Sequence, residues 1–235
     1  MAERGELREG PPAVSAGRPP WWVLAAAFLV AGLVTADLLG HGVLERVDLR
    51  VSEVVSDWGL ADSAAYPAIW LVTQLGGRVA IVLVLAAVVG WLGWRRRTWV
   101  PLRRVLLALV VLTVAVYAAK HATGRTAPAF PGSYFFADGA SYPSGHVANA
   151  VLMWGVARWL AVEHGLPPWV QRLFWWLSVA GPVATGVAMV ALDFHWVTDA
   201  VVGGAVGVLL LGVVHAVDAF VLSRFGRARA GRPSV

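Results

Sequence analysis

The chain has 235 residues, 58% of them hydrophobic and only 14% charged, against about 25% charged in ordinary soluble domains. Its apolar residues come in long blocks rather than short periodic stripes, which excludes a soluble globular domain and indicates helices that span a bilayer. The net charge of +5 does not point to nucleic acid, because the arginines lie between apolar blocks and at the termini, as cytoplasmic loops do. Cysteine is absent, so neither a disulfide nor a thiolate metal site exists.

Residues 1–20 are rich in Pro, Gly, Glu and Arg and read as a disordered tail. The first apolar block, Trp21 to Leu39, is longer than the 7–15 apolar residues of a signal peptide and reads as a retained span. From His41 to Gly77, Leu44, Val47, Val51, Val54 and Val55 recur at helical spacing among Glu45, Asp48, Glu53 and Asp57. That pattern predicts an amphipathic helix too polar to span. Further spans are expected at about Val79–Trp94, Val105–Ala119, Ser144–Val162, Leu173–Val190 and Thr198–Leu222. The expected fold is therefore all-α, a six-span transmembrane bundle with the amphipathic helix between spans 1 and 2. The membrane domain covers 21–222, and a basic tail covers 223–235.

Six spans place both termini on one side, together with Arg95, Arg96, Arg97 and Arg172. The positive-inside rule makes that side cytoplasmic. The expected location is a bacterial plasma membrane, with both termini inside. Residues 41–77, 120–143 and 191–198 then face outward, and the last two segments hold nearly all the chemically interesting side chains.

Lys120 is the only lysine in the chain. It is either a snorkelling interfacial residue or a compact cation for phosphate. In Tyr142-Pro143-Ser144-Gly145-His146, Pro-Ser-Gly reads as a turn with Ser144 as the N-cap of the next helix. A helix N-terminus favours an anion, and His146 falls in its first turn; the bland alternative is a capping turn beside an interfacial histidine. His195 and Asp199 are four apart and share a helix face. The carboxylate can fix the imidazole tautomer and leave the other ring nitrogen free; alternatively Asp199 merely favours the helix dipole. A metal site ranks lower, since no Glu-x-x-His or His-x-x-x-His pairing is present. Together these residues suit phosphoryl transfer through a phosphohistidine, without metal or other cofactor.

The set resembles the type 2 phosphatidic acid phosphatase family, the lipid phosphate phosphatases related to vanadium haloperoxidases. That family's motifs are Lys-x6-Arg-Pro, Pro-Ser-Gly-His and Ser-Arg-x5-His-x3-Asp. Here they read Lys120 to Pro128, Pro143-Ser144-Gly145-His146, and Ala188-Met189 to His195 and Asp199. The resemblance implies that His195 is the nucleophile, Asp199 its partner and His146 the acid for the leaving group. It also implies that Lys120, Ser144 and the backbone of Gly145 hold phosphate oxygens.

Both motif arginines are replaced, by Ala127 and Met189. Arg125 is expected to take up part of their role: on a continued helix it would point about 140° from position 127, but Gly124 can end the helix and free the geometry. Loss of two charge-assisted contacts would cost on the order of 10²–10⁴ in rate. The expected function is hydrolysis of a phospholipid or polyprenyl (di)phosphate, with membrane lipids as surroundings and no nucleic-acid partner. Phosphotransfer to an alcohol and non-catalytic lipid binding are the alternatives, and transport is the weakest reading for want of repeats. His215 and Asp218 read as interfacial polar residues outside the site.

Overall fold

The computed structural model describes residues 17–130 and 132–230. Among them the secondary structure is helical throughout. The elements are α1 (Trp21–Leu39), α2 (Val43–Asp57), a 3-10 turn (Leu60–Asp62), α3 (Tyr66–Thr73), α4 (Arg78–Arg96), α5 (Val100–Thr123), α6 (Gly145–Glu163), α7 (Pro168–Ala191) and α8 (Val197–Ala230). Local chemistry sets most of these boundaries. Pro101 and Pro168 open α5 and α7, where a missing N–H costs nothing. Gly124, at φ 54°, closes α5 in the left-handed conformation that glycine adopts freely.

Among the described residues five helices are long and apolar enough to cross a membrane: α1, α4, α5, α7 and α8 as far as Val221. The remaining expected span coincides with α6, which is the centre of the bundle and packs against α4, α5, α7 and α8. Ala148, Leu152, Met153, Val156, Ala157 and Leu160 of α6 are all completely buried. A helix enclosed by its neighbours meets little lipid, so it tolerates Asn149 and Arg158 where a lipid-facing helix would not. By contrast, α1 buries only Ala27 and Leu38. It runs antiparallel to α8, with Leu24 beside Gly212 at one end and Leu38 packed on Val202 at the other.

The segment between α1 and α4 differs from the single amphipathic helix expected over 41–77. It divides into α2, the 3-10 turn and α3, with Gly59 at φ 59° at the break. Moreover the inward face of α2 is not purely apolar. Val47 and Val54 are exposed, whereas Asp48 is buried along with Val55. Ser52 and Ser56 donate hydrogen bonds to Asp193 at 2.9 and 3.1 Å, so α2 is fastened across the α7–α8 turn.

The expected basic tail at 223–235 begins inside α8, and residues 231–235 lie outside the described residues. Of the expected disordered tail at 1–20, residues 1–16 lie outside them as well. Gly17 is described and rests against the backbone and Cβ of Trp159. His215 and Asp218 are buried rather than interfacial. Asp218 pairs with Arg103 and Arg104, and His215 stacks on Trp159 with ring centroids 3.7 Å apart. This ionic cluster lies toward the arginine-rich end of the bundle.

Candidate functional site

At the opposite end, the C-terminal ends of α5 and α7 meet the N-terminal ends of α4, α6 and α8. Between them opens a cavity of about 940 Å³. His195, His146, Lys120 and Gly145 line it together, and so do Ala127 and Met189, the positions where the motif arginines are absent. Leu112, Val116, Tyr117 and Phe130 form an apolar wall. The cavity thus has a cationic, imidazole-bearing region continuous with an oily one.

Each histidine is positioned by its helix start. The Ser144 hydroxyl caps α6 by accepting from the Val147 N–H at 3.5 Å, and the Ser144 N–H donates to the Asp199 carbonyl at 2.9 Å. The second contact ties the beginnings of α6 and α8 together. It is possible because Gly203 has no side chain: a Cβ there would stand 2.5 Å from the Ser144 carbonyl oxygen. Ser144 itself is completely buried and does not line the cavity, so its hydroxyl serves the helix cap rather than the cavity wall.

His195 precedes α8, and its Nδ1 faces Asp199 Oδ2 at 3.2 Å. The same carboxylate oxygen accepts from the Trp196 N–H at 3.2 Å and from the Ser141 hydroxyl in a short hydrogen bond. With Nδ1 protonated toward Asp199, Nε2 keeps its lone pair. Ser141, on the loop before α6, is a contributor the sequence reading did not single out.

Arg125 goes elsewhere than expected. It is completely buried and absent from the cavity wall. Its Nη1 donates to Asp199 Oδ1 at 2.7 Å and to the Thr198 hydroxyl at 2.8 Å. Its Nη2 donates to Asp48 Oδ2 at 2.7 Å and to the Ser133 hydroxyl at 2.8 Å, and its Nε reaches Ser133 at 3.2 Å. The rings of Phe135, Trp196 and Tyr142 surround the guanidinium at 5.2, 5.3 and 5.9 Å. The expectation that Arg125 contacts phosphate is therefore corrected. Gly124 does end the helix, but the chain then turns Arg125 inward, where it bridges two buried carboxylates behind His195.

Asp48 completes this network from α2. Besides Arg125 it accepts from the Thr198 N–H at 3.0 Å and from the Thr198 hydroxyl. Burial pushes its carboxyl above the usual aspartate range, while the bonds from Thr198 and Arg125 oppose that shift. The result is a relay of contacts, Asp48–Arg125–Asp199–His195, reaching from the amphipathic helix to a cavity histidine.

On the other side of the cavity, Lys120 donates a short hydrogen bond to the Ala140 carbonyl. Arg78, the first residue of α4, also lines the cavity. Among the described residues no group of three or more His, Asp or Glu side chains is placed to share a metal ion.

Comparisons with known proteins bear on the family and the fold. The family model described as the PAP2 superfamily matches residues 101–221, just over half of the chain, so the chain belongs to the PAP2 superfamily. Among curated proteins none matches its sequence. Among solved structures, the fold is similar to the crystal structure of a transmembrane PAP2-type phosphatidylglycerolphosphate phosphatase from Bacillus subtilis. That match has a TM-score of 0.60 at 19% identity and covers 86% of this chain and 96% of the other. The protein is thus an integral membrane, all-helical member of that superfamily.

Proposed function

We propose that this protein is a lipid phosphatase or diphosphatase that hydrolyses a phospholipid or polyprenyl (di)phosphate through a phosphohistidine at His195. The observation that carries this reading is the convergence of His195, His146 and Lys120 on one cavity that also has an apolar wall. An anionic headgroup on an oily tail is the ligand chemistry such a cavity fits.

In the first step Nε2 of His195 attacks phosphorus, and the bond from phosphorus to the lipid oxygen breaks. His146 supplies the proton to that leaving oxygen. Asp199 holds the ring and stabilises the positive charge that develops on it. In the second step water attacks the phosphohistidine, His146 accepts its proton, and cleavage of the P–N bond frees inorganic phosphate. For a diphosphate substrate the leaving group is the lipid monophosphate. Lys120 and the N–H groups at the start of α6 offset charge on the transferring group.

The bundle is read as six spans, α6 included, with the cavity facing outward. The arginines at the opposite end support that orientation.

The test is phosphate release from a panel of lipid phosphates by the detergent-purified protein with chelator present. Slow release by the wild type, abolished by His195→Ala, is expected. Activity untouched by His195→Ala would sink the mechanism. A wild type that moves labelled phosphate only to an added alcohol would identify a phosphotransferase instead.

A further inference from the structure

Arg78 stands apart from the other cations near the cavity. Lys120 gives one of its three donors to the Ala140 carbonyl, and Arg125 is locked between carboxylates. Arg78 is exposed, lines the cavity, and has no hydrogen-bond or ion-pair partner among the described residues. It also occupies the first position of α4, where the helix dipole disfavours a cation.

Its place is built rather than incidental. The turn between α3 and α4 is pinned to α6, the helix that carries His146. The Asn149 side chain donates to the Gly76 carbonyl at 2.8 Å, and the Trp154 indole donates to the Leu75 carbonyl at 2.7 Å. Gly76 lies so close to α6 that a Cβ would come within 2.5 Å of the His146 carbonyl oxygen. Arg78 follows two residues later and lines the same cavity as His146, Lys120 and His195. The other charged residue on the cavity wall is Asp138, which is exposed. Nothing in the fold of α4 calls for an unpaired guanidinium at this point, whereas an anion in the cavity would satisfy both it and the helix end.

We propose that Arg78 is a phosphate ligand of this cavity, its guanidinium carried to the rim by the pinned α3–α4 turn so that it binds an oxygen of the phosphoryl group beside Lys120. The proposal rests on the lipid-phosphate reading for its physiological ligand, but its chemistry is that of any phosphate dianion. Arg78 supplies from α4 a cation that the wall lacks at Ala127 and Met189. The guanidinium fork suits two phosphoryl oxygens, and lysine can replace only the charge.

The experiment uses the full chain in detergent and two readouts. The first is the affinity for inorganic phosphate by phosphorus NMR titration. The second is hydrolysis of a short-chain phosphatidic acid. Arg78→Ala is expected to weaken phosphate binding roughly tenfold or more and to raise KM, with an unchanged melting temperature. Arg78→Lys should recover part of the affinity. Arg172→Ala, at the far end of α7, should match the wild type. A merely snorkelling arginine would leave phosphate affinity unmoved. Equal phosphate affinity in the wild type and Arg78→Ala therefore overturns the proposal, even if lipid hydrolysis stands. Absence of phosphate binding by the wild type overturns it too. Arg78-dependent phosphate binding without any hydrolysis would uphold this ligand and contradict the hydrolase reading.

Discussion

All five N–H donors of the Arg125 guanidinium are engaged by Asp48, Asp199, Ser133 and Thr198. A phosphoryl oxygen could reach it only by displacing one of these acceptors. Arg125→Ala would leave two carboxylates buried without their cation, a change that typically costs about 3–5 kcal/mol. A substantially lower Tm in detergent is the expected outcome, accompanied by loss of activity as Asp199 loses its support. Lower activity at an unchanged Tm would instead mark Arg125 as a substrate ligand. The sequence does carry a hint of this network. Asp48 falls four residues after Leu44 and seven before Val55, on the same helical face. A carboxylate on an otherwise apolar face needs a partner, and only the folded chain shows that the partner is Arg125.

At the scale of the elements, the long apolar blocks are legible because length and hydropathy alone define a membrane helix. The start of α6 is equally legible, since Ser144 and Gly145 signal a cap and the cap is formed. The i, i+4 spacing of His195 and Asp199 likewise yields the contact at 3.2 Å. What periodicity misses is the path of the chain between helices. The 41–77 segment carries an amphipathic pattern, but its break at Gly59 and the docking of Leu75 and Gly76 onto α6 depend on distant partners, Trp154 and Asn149. Arg78 escapes notice for the same reason. In sequence it is one arginine at the edge of a span, and only the pinned turn makes it part of the cavity. A cation on the side of the bundle opposite the main arginine clusters is the signal that could have found it.

For the molecule as a whole, charge and chemistry are segregated along the bundle. Arg95, Arg96 and Arg172 stand at one end, and the cavity with its histidines stands at the other. The chain lacks cysteine, so single thiols can report orientation without background. Phe130→Cys, at an exposed position on the cavity wall, should react in intact cells with a membrane-impermeant maleimide, whereas Arg172→Cys should react only after permeabilisation. The reverse pattern would place the cavity inside.

Across these scales the structure centres on His195, buried to 8% exposure, backed by Asp199 and open to the cavity. The most direct measurement is a rapid acid-free quench of the protein turning over a lipid phosphate labelled at phosphorus, followed by mapping of the labelled peptide. An alkali-stable, acid-labile label on His195, absent from His195→Ala, is the expected result. Turnover with no covalent label, or with the label on another residue, would contradict a phosphohistidine at His195.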